Sequence, residues 1–165
     1  MKTLQPPDNF HLRAAQGWVE LGNHKEAWKE LEEIRPEFRA HPDVLQIRWT
    51  VYAFARDWKA GVEICEALIK LESSRPEPWI HRSFALHELK RTQEALEKLL
   101  PAVHIFPNDW TIPYNLACYT CQLGKLKDAM TWLEKAIDFG GKTDVRQMAL
   151  EDSDLEPLWA NIGEI

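Results

Sequence analysis

Glycine is scarce in this chain, seven residues of 165, which disfavours glycine-rich nucleotide loops as a building theme. Cysteine is scarcer. Three cysteines are too few and too oddly numbered for a disulfide framework, so a reducing, cytoplasmic setting is expected. No apolar run approaches the roughly 20 residues that span a bilayer. Met1 to Phe10 lacks the apolar stretch of a secretory signal. Basic charge is also in deficit: 20 Lys and Arg against 26 Asp and Glu leave a net charge of −6. That balance argues against non-specific binding to nucleic acid or an anionic membrane. What remains is 45% hydrophobic and 28% charged residues, the composition of an ordered globular chain. Its length suits one domain over residues 1–165 with a core of its own.

The chain is periodic. Ala27, Gly61, Ala95 and Ala129 are each 34 residues apart. Leu31, Cys65, Leu99 and Leu133 keep the same step, as do Ile34, Leu68, Ala102 and Ala136. So do Leu21, Ala55, Leu89 and Leu123, and Trp18, Tyr52, Leu86 and Thr120. A short polar turn precedes each small residue: Gly22-Asn23, Arg56-Asp57, Lys90-Arg91 and Gly124-Lys125. Five features held in register over four units mark a true internal repeat.

Within each unit apolar residues recur at three- and four-residue steps, as in Leu126, Met130, Leu133 and Ile137, so each unit reads as two helices. Expected helices cover about 8–21, 24–35, 42–55, 57–72, 76–89, 92–106, 109–123 and 125–139, with a shorter pair near 143–150 and 154–161. Asp8-Asn9, Pro42-Asp43, Pro76-Glu77 and Asn108-Asp109 read as helix starts. Gly140-Gly141 reads as a helix end. The units run about 8–41, 42–75, 76–109 and 110–143, with capping helices over 144–165. The small column lies where the second helix of a pair must approach the first closely. One pair cannot bury its own apolar face, so the expected architecture is all-α, a solenoid of stacked antiparallel pairs. The acidic stretch from Glu151 to Glu156 suits a solvated end cap.

These features resemble the tetratricopeptide repeat family. The period, the helix–turn–helix unit, the Gly22…Ala27 and Gly124…Ala129 turns, and Pro42, Pro76 and Pro107 near the junctions all match that pattern. The closing stretch from Asp152 to Trp159 is similar to the tail that follows the last repeat in bacterial members. The resemblance covers residues 8–160 and implies a right-handed superhelix. Some positions depart from it. Trp49 stands in a column otherwise held by Ala15, Ser83 and Ala117, and Arg48 and Arg82 stand where Leu116 fits better. Pro36 should shorten one helix and Pro101 should kink another.

Three constellations invite a chemical reading. Gly140-Gly141-Lys142-Thr143 ends like a phosphate loop, but a helix in repeat register precedes it where a strand is required. Cys118 and Cys121 have thioredoxin-like spacing, but lie mid-helix and have no second cysteine pair for zinc. His87, Cys118 and Cys121 could converge on one point, with His81 as a fourth group, and would then make the chain a metal-binding protein or an enzyme. With no nucleophile signature near the six histidines, the main expectation is a non-enzyme without metal or cofactor.

The family resemblance places a peptide groove on the first helices of the pairs. Carried over by register, it is lined by Leu12, Gln16, Gln46, Ile47, Thr50, Phe54, Ile80, His81, Phe84, His87, Tyr114, Asn115 and Cys118. The family's carboxylate clamp would fall on Leu12, Gln16, Ile47, Glu77 and His81, or one unit on at Gln46, Thr50, His81, Thr111 and Asn115. Neither set holds Lys or Arg, so recognition of an acidic chain end is not expected. An apolar, aromatic lining suits a protein or peptide segment with apolar anchors. The expected role is an adaptor, scaffold or client chaperone. Self-association through exposed tryptophans is a third reading.

Overall fold

The computed structural model describes residues 3–163, apart from the side chains of Lys142 and Thr143. All regular structure among the described residues is helical. The chain divides into two compact units, Met1–Ser73 and Ser74–Ile165.

The first unit holds α1 (Asp8–Glu20), α2 (His24–Glu33), a 3-10 turn (Pro36–Phe38), α3 (Pro42–Ala55) and α4 (Trp58–Leu71). Helix α1 packs on α2 and α3 on α4, and both α1 and α2 also pack on α3. The second unit holds α5 (Glu77–Glu88), α6 (Thr92–Leu99), α7 (Ala102–Ile105), α8 (Thr111–Gln122), α9 (Leu126–Gly140), α10 (Lys142–Glu151), a 3-10 segment (Ser153–Leu158) and α11 (Trp159–Ile162). Helix α8 is central there, packing against α5, α6, α9 and the 3-10 segment. It is buried at every position from Ile112 to Cys121 except Asn115.

The three columns on the second helices are the core. All twelve residues in the columns of Ala27, Leu31 and Ile34 are buried. Positions three, four and seven residues apart share one helix face, so this spacing alone builds a continuous apolar stripe. The column of Leu21 behaves differently: Leu21 is 77% exposed, Ala55 is exposed, and Leu89 and Leu123 are half-buried. These residues sit where the chain leaves the first helix, and their periodicity reflects the turn rather than the core.

That turn recurs in all four pairs. Gly22, Arg56, Lys90 and Gly124 all have left-handed φ, at 73°, 55°, 62° and 75°. The following N–H donates back to the carbonyls of Trp18, Tyr52, Leu86 and Thr120 at 2.8–2.9 Å. These bonds satisfy carbonyls that a helix end leaves unpaired.

The departures from the repeat have physical reasons. Trp49 is accommodated because its partner is Gly61: a Cβ there would meet the Trp49 ring at 2.7 Å. Arg48 reaches Glu32 at 2.8 Å and lies over the Trp28 ring. Buried Arg82 donates to the Lys98 carbonyl at 2.8 Å, next to the break at Pro101, where α6 stops and α7 begins. Pro36 likewise starts a 3-10 turn after α2 has ended.

The expected helix starts hold at Asp8, Pro42 and Glu77, though the groups that cap them differ. Asp8 does not cap α1. Its fully buried carboxylate accepts from the Arg35 backbone N–H at 2.9 Å and from the guanidinium Nε at 2.8 Å. Those Arg35 hydrogen bonds hold the Asp8 carboxyl below its ordinary range. His41 caps α3 by accepting from Asp43 N–H at 3.3 Å, and α5 has no side-chain cap. Asp109 does bond the start of α8, accepting from Thr111 N–H at 3.0 Å. Gly140 ends α9 as expected, and a Cβ there would meet Trp110 and Val145 within 2.7 Å. The side chains of Lys142 and Thr143, which complete the phosphate-loop pattern, lie outside the described residues. The segment before them is helix α9 rather than a strand.

Candidate binding groove

In the second unit, α5 and α8 form the sides of an open cleft of about 650 Å³. It brings together all seven groove residues expected there: Ile80, His81, Phe84, His87, Tyr114, Asn115 and Cys118. The helical steps explain this. On α5, Ile80, Phe84 and His87 follow one face at intervals of four and three, as Tyr114 and Cys118 do on α8. Trp110 and Met148 add apolar surface that repeat register did not point to. Phe84 and Met148 are 40% and 38% exposed.

The polar part of the cleft is filled by the chain itself. The segment after α10 turns back and places two carboxylates against the groove. Tyr114 OH donates to Asp152 Oδ2 at 2.9 Å, and Cys118 Sγ donates to the same oxygen at 3.6 Å. His87 Nε2 lies 3.1 Å from Asp154 Oδ2, while Nδ1 lies 2.9 Å from Thr92 Oγ1. Gln122 donates to the Asp154 carbonyl at 2.9 Å. The acidic stretch expected to be a solvated cap is therefore anchored, with Leu155 and Leu158 buried beside it. A carboxylate also meets His87, where repeat register offers none.

Burial governs the titration of this region. It pushes the Cys118 and Cys121 thiols up, with Asp152 and Asp154 adding to the shift. The Tyr114 hydroxyl is raised by burial, then by neighbouring Cys118 and Asp152. Tyr119, whose hydroxyl donates to Ser83 Oγ at 3.1 Å, is raised mainly by burial. Burial lowers His81 to about 4 against a weaker pull from Glu77, so it is neutral near pH 7. Thiols held protonated are poor nucleophiles and poor metal ligands. Among the described residues no three His, Cys, Asp or Glu side chains are arranged to hold a metal ion. All three cysteines are buried, and none of them is in a disulfide.

In the first unit the expected groove residues have other engagements. Leu12 and Ile47 pack against the core of that unit. Gln16 donates to Glu20 at 3.3 Å. Thr50 Oγ1 donates to the Gln46 carbonyl at 3.3 Å. Phe54 stacks on His24 with ring centroids 3.5 Å apart.

No helix among the described residues is long and apolar enough to cross a membrane. No protein-family model matches the chain, and no curated protein matches it. Solved structures of MamA do share its fold. MamA from Desulfovibrio magneticus RS-1, residues 41 to the end, superposes with a TM-score of 0.76 at 18% identity, covering 98% of this chain and 96% of that one. A second MamA structure gives 0.77 at 15% identity, over 95% and 88% of the two chains. A MamA RS-1 double mutant gives 0.75 at 13%, over 86% and 79%. At such low identity the likeness is one of fold: this chain has the all-helical, paired-helix architecture seen in MamA.

Proposed function

We propose that the chain is a non-catalytic protein-interaction module of the tetratricopeptide type, an adaptor or client chaperone working in the cytoplasm. It holds a peptide or helix of a protein partner in the cleft between α5 and α8 and needs no cofactor. One observation carries this reading. The cleft presents exposed apolar side chains, Phe84 and Met148 beside Ile80 and Trp110, above a floor whose polar groups already bond one another. Such a surface gains by covering apolar area and offers no free reactive group. The Thr92 hydroxyl that His87 meets is not among the cleft residues. Self-association has less support, since Trp159 is the one exposed tryptophan among the described residues and its indole N–H bonds the Ala149 carbonyl.

The test is quantitative affinity capture from the native host with wild-type protein and with Ile80→Ala and Phe84→Ala. Each truncation should weaken the specific partner by about 2 kcal/mol while leaving the melting curve unchanged. Tyr114 is too buried for truncation, and Tyr114→Phe is the fair variant there. A partner recovered equally by both alanine variants would remove the groove from consideration.

A further inference from the structure

Acidic side chains are spread along the cleft. Asp109 stands just before α8, Asp152 meets Tyr114 and Cys118 in its middle, and the Asp154 carboxylate meets His87 on α5. Glu77 also lines the cleft and is paired with Arg75 at 3.5 Å. No Lys or Arg is among the described residues lining the cleft. Asp109 and Asp152 bond backbone N–H, hydroxyl and thiol groups, and Asp154 meets the His87 imidazole. His81 is kept neutral by burial and adds no compensating charge.

From this we propose that the segment seated in the cleft is cationic: a peptide carrying Lys or Arg beside a large apolar side chain. The inference rests on the groove reading above and narrows its partner by chemistry. The apolar side chain covers Phe84, Ile80 and Met148, and the basic ones face the carboxylates of Asp109 and Asp152 beside α8 and Asp154 beside α5. Trp110 and Tyr114 meet edge-to-face, 6.1 Å apart at 83°, and aromatic faces attract a cation as well. The raised thiol of Cys121 reports the same negative field, since Asp154 and Asp152 contribute to it after burial. An acidic segment would meet like charges at three places along its path, which selects against it.

The experiment pans a random dodecapeptide phage library against the full chain, counter-selecting on Phe84→Ala, whose fold is checked by circular dichroism. Clones that need Phe84 should be enriched in Lys and Arg, depleted in Asp and Glu, and carry a large apolar residue. A selected peptide should bind about fivefold more weakly to the Asp109→Asn/Asp152→Asn variant. Its affinity should also fall as salt is raised. Neutral or acidic Phe84-dependent clones, or binding indifferent to salt, would overturn the charge inference and leave the groove standing. If no clone depends on Phe84, the groove reading itself falls.

Discussion

The two units spend the same 34-residue plan differently. In the first, the α3–α4 crossing is built from Trp49 and Gly61. In the second, the equivalent positions hold Ser83 with Ala95 and Ala117 with Ala129, as those of the first unit's α1–α2 pair hold Ala15 with Ala27, all buried. The first unit also caps its second helices: Asn23 accepts from Glu26 N–H at 3.3 Å, and Asp57 accepts from Ala60 N–H at 3.2 Å. The second unit has Arg91 and Lys125 at those sites, with similar backbone angles and no side-chain cap. The repeat therefore constrains the backbone path of a turn, and it admits a bulky residue at a crossing where the facing position holds no side chain. It leaves the individual residues free.

Trp49 is where this idea is most easily broken. Trp49→Ala should destabilise the protein by about 3–5 kcal/mol, and Gly61→Ala by about 1–3 kcal/mol. If volume is shared, the double variant should lose less than the sum by at least about 0.5 kcal/mol in denaturant titrations; strict additivity would mean that each residue is fixed for its own reason. Next come the left-handed turn positions. Arg56→Gly and Lys90→Gly should each stabilise by about 0.5–1 kcal/mol, whereas Gly22→Ala and Gly124→Ala should destabilise by about 1 kcal/mol. Equal signs for the two groups in thermal melts would show that side-chain contacts rather than φ decide. Lys125→Asn should add the cap that Asn23 supplies in the first unit, stabilising by about 0.5–1 kcal/mol.

The one effect that depends on pH belongs to the Asp8–Arg35 pair. The folded-state pKa of Asp8 lies below its ordinary 3.8. Its contribution is thus complete above that value and is lost as pH falls through the lowered one. The difference in denaturant midpoint between wild type and Asp8→Asn should shrink on going from pH 7 to about pH 2. An unchanged difference would show that the carboxylate acts as packing alone.

Helix positions and the buried columns were readable because each depends on neighbours a few residues away or one period away. Ile80, Phe84, Tyr114 and Cys118 could be placed together for the same reason. Asp152 and Asp154 could not. Their partners lie in α5 and α8, and no periodic pattern links a tail to the repeats it follows. Arg48 and Arg82 were legible only as misfits, because the groups they bond, Glu32 and the Lys98 carbonyl, are each 16 residues away on another helix. The exposure of Leu21 was hidden too, since spacing does not distinguish a core column from one that marks a chain reversal.

The returning tail also bears on how the molecule comes apart. In a repeat protein each unit touches only its neighbours, so the array can unzip from an end, one element at a time. The bond between His87 and Asp154 spans 67 residues and bridges past the whole α8–α9 pair to α5. With Tyr114–Asp152 and Gln122–Asp154 it fastens the terminal segment to two earlier helices at once. Fraying at that end must break these bonds, so the terminal segment should open with α5 and α8 rather than ahead of them. Amide protons in the Ser153–Leu158 turn then exchange at rates closer to those of α8 than to those of a free chain end.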